Sequence, residues 1–123
     1  MADDYQDFSF EMFRGDTQYF DFTVYVENVV VDITGCSLVF TAKRNLRDTD
    51  AEAVFQCKTS SSTISITNGP AGQGKVHVLP TMTDDLLVQT CCFCDLELTD
   101  TLGNVSTTST GKVIVKLDVT EGP

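Results

Sequence analysis

Between Tyr19 and Lys43 apolar residues recur at every second position: Phe20, Phe22, Val24 and Val26, then Leu38, Phe40 and Ala42. Side chains of a β-strand alternate between its two faces. A period of two therefore sets each group on one face of a half-buried sheet. A helix, at 3.6 residues per turn, would scatter the same residues around its axis. Between the two stretches lies Asp32-Ile33-Thr34-Gly35, a turn sequence, so the stretches are expected to form a strand pair.

The same pattern continues on both sides. Phe8–Phe13 alternates weakly and reads as an edge strand, followed by the turn Arg14-Gly15-Asp16-Thr17. Glu27-Asn28 is a tight turn before Val29–Val31. Ala53, Phe55 and Cys57 share a face, as do Ile64 and Ile66, then Val76 and Val78, then Cys92, Cys94, Leu96 and Leu98. Asn68–Gly74 (NGPAGQG) and Thr101–Asn104 (TLGN) mark turns. Gly111 is expected to make a bulge in the last stretch, with Val113, Val115 and Leu117 facing the core. Pro80–Leu87 is the only helical candidate, one turn capped by Thr83. These features predict an all-β fold of seven to nine strands with at most one short helical turn. Two antiparallel sheets stacked as a β-sandwich would bury so many half-apolar faces without helices.

A chain of 123 residues, 41% hydrophobic, suits one domain across 1–123 with one core. Residues 1–7 read as an acidic arm. No apolar run approaches the ~20 residues of a membrane helix, and the N-terminal MADDYQDF lacks the basic and apolar segments of a signal peptide. Eighteen acids against eight bases give a net charge of −10, and the first 35 residues hold a single base, Arg14. Nucleic acid and anionic membranes need a basic face, so neither is expected as a partner. The five cysteines, Cys36, Cys57, Cys91, Cys92 and Cys94, do not form a secreted disulfide framework. They are expected as reduced and mostly buried thiols, consistent with assembly in a cytosol.

The short motifs carry little chemistry. Gly69–Lys75 spells the first part of a phosphate-binding loop, but Val76 replaces the magnesium-holding hydroxyl and a strand follows in place of a helix. Arg14-Gly15-Asp16 and the sequon Asn104-Val105-Ser106 both need an extracellular setting. On a strand Cys92 and Cys94 share a face about 6–7 Å apart and Cys91 points away, whereas a closed zinc site needs four ligands. Asp48, Asp50 and Glu52 alternate as calcium ligands would, without the glycine of the usual loop. Asp95 and Glu97 share the outward face of one strand. Hydrolase chemistry there would require a pocket joining them to another acid. His77 is the lone histidine, so no nucleophile has a convincing base. No cofactor, metal site or enzymatic activity is expected.

Exposed aromatics are the better candidates for contact. Tyr19 and Tyr25 fall opposite the Phe20–Val26 set. With Tyr5, Phe93 and the edge-strand residues Phe8 and Phe10 they form the candidate interface. Such residues serve a second buried face, a protein interface or a sugar-stacking platform.

A series of segments then occurs in a familiar order: Phe13-Arg14-Gly15-Asp16-Thr17, Phe20-Asp21-Phe22-Thr23-Val24, Val31-Asp32-Ile33-Thr34-Gly35 and Phe40-Thr41-Ala42-Lys43-Arg44. Gly74-Lys75-Val76, Asp95–Asp100 with Gly103-Asn104-Val105, Gly111-Lys112-Val113 and Asp118-Val119-Thr120 follow. Over nearly its whole length the chain resembles the N-terminal domain of the tailed-phage baseplate upper protein family. The resemblance implies an immunoglobulin-like sandwich acting as an assembly module of a virion, where it docks a fibre or receptor-binding component onto the tail. The sequence stops at Pro123 without the family's following coiled coil. The expected roles are thus a tail, baseplate or fibre-attachment component, or a capsid-decorating cement protein. A carbohydrate-binding host-attachment module is the further alternative. The expected partners are other virion proteins in a symmetric, multi-copy assembly formed in the host cytoplasm.

Overall fold

The computed structural model describes residues 6–118. Alternation becomes strand throughout: β1 (Gln6–Phe13), β2 (Gln18–Thr23), β3 (Tyr25–Val26), β4 (Val29–Val30), β5 (Ser37–Lys43), β6 (Phe55–Lys58), β7 (Ile64–Asn68), β8 (Gln73–Val78), β9 (Thr90–Thr99) and β10 (Val105–Lys116). The fold is all-β. A five-stranded sheet runs β1-β10-β9-β5-β6, a three-stranded sheet runs β2-β8-β7, and β3 and β4 form a separate hairpin. β1 lies parallel to β10, and the other pairs are antiparallel. The larger sheet curls into a half-barrel.

One core lies between the two sheets. Leu38, Phe40, Cys57, Val76, Val78, Cys92, Val113 and Val115 are fully buried. A chain of rings crosses from sheet to sheet: Phe10 lies 4.9 Å from Phe20, Phe20 5.2 Å from Phe40, and Phe40 6.0 Å from Phe55. Each fully buried side chain, Phe40 among them, contributes about 1.5–3 kcal/mol relative to exposure, and the half-buried Phe10 and Phe20 contribute less. Phe20 and Phe40 therefore meet edge to face across the core, at 69° between ring planes, and do not belong to one ladder. β2 pairs with β8, and β5 with β6 and β9. The expected strand pair is a corner between sheets. Asp32 makes that corner by accepting the Thr34 N–H at 2.9 Å, and Ile33, fully buried, donates its N–H to Gly69.

Several expectations change with tertiary context. The strand from Tyr19 breaks at Val24, whose N–H bonds Gly72 and whose carbonyl accepts from Val31. The chain then turns out into the β3–β4 hairpin, so Val26 is exposed and not in the core. Glu27 and Asn28 both take positive φ, 52° and 65°, as a two-residue hairpin loop requires. The bulge in β10 falls at Thr108, between the pairs Thr107–Glu97 and Ser109–Leu96, and Gly111 stays in register opposite Cys94. Thr108 hydroxyl donates to the Leu96 carbonyl at 3.2 Å, which pins the bulge. Leu117 lies beyond β10 and is exposed. Three short 3-10 turns, Asp50–Glu52, Thr59–Ser61 and Pro80–Met82, replace the single helical turn. Thr83 ends the last of these and does not start a helix. Its buried hydroxyl accepts the Gly15 N–H at 2.8 Å, Leu86 is buried and Leu87 exposed.

Candidate functional site

The outer face of the five-stranded sheet holds a hollow of about 710 Å³. Its floor follows from register. Thr41 pairs with Gln56 on one side and with Asp95 on the other, and Asp95 pairs with Thr110. These four outward side chains make a polar row across β6, β5, β9 and β10. The next row is Lys43, Phe93 and Lys112, and on the other side stand Lys58, Val39 and Glu97. Asp50 closes one end from the 3-10 turn after the polar loop.

Hydrogen bonds fix part of this lining. Gln56 Nε2 donates to Thr41 Oγ1 at 2.9 Å, and Lys43 Nζ lies 2.9 Å from Asp50 Oδ1. Lys43 holds the Asp50 carboxyl below its ordinary range, first by that hydrogen bond and then by its charge. Asp95 behaves oppositely. Burial pushes its carboxyl up, and the negative charges of Glu97 and Asp50 add to the effect while Lys43 opposes it. The Lys112 ammonium sits 5.6 Å above the Phe93 ring.

The hollow thus joins Asp95 and Glu97 to a third acid, Asp50, with Lys43, Lys58 and Lys112 interleaved. Three cations offset three carboxylates, so the lining offers donors and acceptors without net charge. His77 is elsewhere: it stacks on Tyr19 at 4.3 Å on the outer face of the three-stranded sheet, with Lys75 5.8 Å from the same ring. Among the described residues no group of three His, Cys, Asp or Glu is arranged to hold a metal ion. Cys91 is exposed while Cys92 and Cys94 point into the core. No described helix is long and apolar enough to cross a membrane.

The four candidate interface residues whose side chains are described, Phe10, Tyr19, Tyr25 and Phe93, do not converge. Phe93 lines the hollow, whereas Tyr19 is exposed on the opposite sheet. Tyr25 is half-buried in the hairpin. Phe10 is half-buried against Phe20. Phe8 pairs through its backbone with Gly111, but its side chain lies outside the described residues, as does the whole of Tyr5. Thr41, Lys43, Gln56, Lys58 and Lys112 were not singled out from the sequence. As members of one surface their signal there is that each is the outward member of an alternating pair.

A second surface is apolar. The β3–β4 hairpin leaves Val26, Val29 and Val30 exposed at 41%, 65% and 41%. It is braced from below, because Gly72, at φ 69°, sits where a Cβ would press on the Val31 carbonyl and Val30. No family model matches this sequence, and no curated protein matches it.

Proposed function

We propose that the chain is a non-enzymatic assembly protein of a tailed-phage virion, a tail, baseplate or fibre-attachment component built on an immunoglobulin-like sandwich. The exposed valine hairpin carries this reading. Three β-branched residues on two-residue strands gain nothing from exposure, and an exposed apolar hairpin suits burial against another protein. The resemblance of the segments, in their order, to the baseplate upper protein domain points the same way, and two sheets over one aromatic core suit the sandwich. β1, β6, β2 and β7 each lie at a sheet edge, where neighbouring copies add strands. The net charge of −10 matches a basic partner surface. The test is incorporation into particles. Val29→Asp with Val30→Asp should leave the isolated protein folded and remove it from purified virions. Incorporation at the wild-type level would sink the hairpin as the docking element.

A further inference from the structure

The hollow on the five-stranded sheet is a separate surface from the hairpin, and its chemistry is specific. Its floor carries acceptor-only carboxylates at Asp95 and Glu97, donor-only ammonium groups at Lys43 and Lys58, and the hydroxyl of Thr41. Thr41 already accepts from Gln56, which leaves its own proton to donate. A ligand anion would meet Asp95 and Glu97, and a ligand cation would meet the lysines. The lining balances in charge within a protein of net charge −10. Groups that both donate and accept, and carry no charge, fit this arrangement best.

We propose that this hollow binds a neutral oligosaccharide, with Phe93 as the stacking platform and Asp95 and Glu97 as acceptors of sugar hydroxyls. Phe93 is 38% exposed, enough to offer one ring face. The Lys112 ammonium occupies that face at 5.6 Å. The C–H face of a pyranose, positively polarised, is attracted to the ring as the ammonium is, so it replaces the lysine, which then swings out to donate to a hydroxyl. The volume, about 710 Å³, is within the range of small-ligand sites. Half-buried Asp95 has lost part of its water, and hydroxyl donors restore what burial removed. The Gln56–Thr41 and Lys43–Asp50 contacts hold part of the lining in place before any ligand arrives.

The test uses the full chain on an array of neutral, sialylated and sulfated glycans. The best neutral tetrasaccharide is then titrated into isotopically labelled protein and followed by NMR. Binding should favour neutral glycans, with amide shifts centred on Thr41, Gln56 and Asp95. Phe93→Ala and Asp95→Asn should each weaken it about tenfold, as loss of a stacked ring or a charge-assisted hydrogen bond does. The spectra of the two variants report whether each is folded. Val29→Asp with Val30→Asp should bind as wild type, which separates this site from the assembly role. An array on which no neutral glycan binds, a preference for charged glycans, or affinity untouched in both folded variants would overturn the proposal.

Discussion

Arg14 and Asp118 meet although 104 positions separate them: Nη2 of the guanidinium donates to Oδ1 at 3.1 Å. The contact ties the turn after β1 to the chain just beyond β10, at the edge where those two strands lie parallel. Both side chains are largely shielded, at 13% and 23% exposure. Arg14 also donates from Nη1 to the Leu86 carbonyl at 3.0 Å, so one residue holds three segments.

Removing the guanidinium leaves a shielded carboxylate and a backbone carbonyl without donors. Arg14→Ala should therefore cost about 1.5–3 kcal/mol, the range for hydrogen bonds to charged groups. Asp118→Asn should cost less, because the Leu86 bond survives. Urea denaturation of both single variants and the double variant measures the coupling. Equal losses for Arg14→Ala and Asp118→Asn would show that the Leu86 contact contributes nothing.

Gly74 stands opposite Phe22 in the β2–β8 ladder, and the Phe22 ring covers the glycine's inward face. A Cβ on residue 74 would collide with that ring and lie 2.9 Å from the Ser65 carbonyl oxygen. Gly74→Ala should cost about 1–3 kcal/mol, as overpacking does. Phe22→Ala in the same chain relieves the ring clash, so the double variant should lose less than the sum of the two single losses. Additive thermal denaturation data would show that the ring moves aside freely.

The contrast between these contacts and the alternating pattern explains what the sequence made legible. Phe20, Leu38, Phe40, Cys92 and Val113 announce their inward faces by period alone, since alternation is a property of a single strand. The partner of each strand is not local. Nothing near Cys36–Lys43 says that β5 lies between β6 and β9, so Thr41, Gln56, Lys58 and Asp95 could not be seen as one floor. The break at Val24 comes from a bond to Gly72, and the bulge at Thr108 from a bond to Leu96, both distant in sequence. Asp95 and Glu97 were legible as a pair, but the hollow around them is lined from five strands and from the loop that carries Leu46 and Asp50.

The buried thiols set an alkaline limit. Burial pushes Cys57 up to about 12, with Thr63 pulling slightly against it, and Cys92 up to about 11, with help from Cys91. The ordinary thiol value is 9.0, so the folded state holds these protons more tightly than the unfolded chain. Their contribution is fully present below about pH 9 and is lost as pH rises through 11 to 12. The denaturation midpoint should fall over that window. Cys57→Ala with Cys92→Ala should start lower, from lost packing, yet change less between pH 9 and 11. Parallel curves for the two proteins would assign the alkaline loss to other groups.

Asp95 should show the opposite of a stabilising carboxylate. Burial first, then the charge of Glu97, raises its carboxyl in the folded state. A raised value means that the stabilising share belongs to the protonated form, present below the unfolded range and lost as pH rises through the folded value. At pH 7 the ionised group therefore works against folding. Asp95→Asn keeps the shape and removes the charge, so its denaturation midpoint should exceed that of wild type at pH 7. The difference should close near pH 3, where Asp95 is itself neutral. Glu97→Gln removes the neighbouring charge and should recover part of the same gain. A midpoint for Asp95→Asn at or below wild type at pH 7 would mean that Lys43 already compensates the carboxylate. A rise in stability together with loss of sugar binding would identify Asp95 as a residue held against folding for the sake of the hollow.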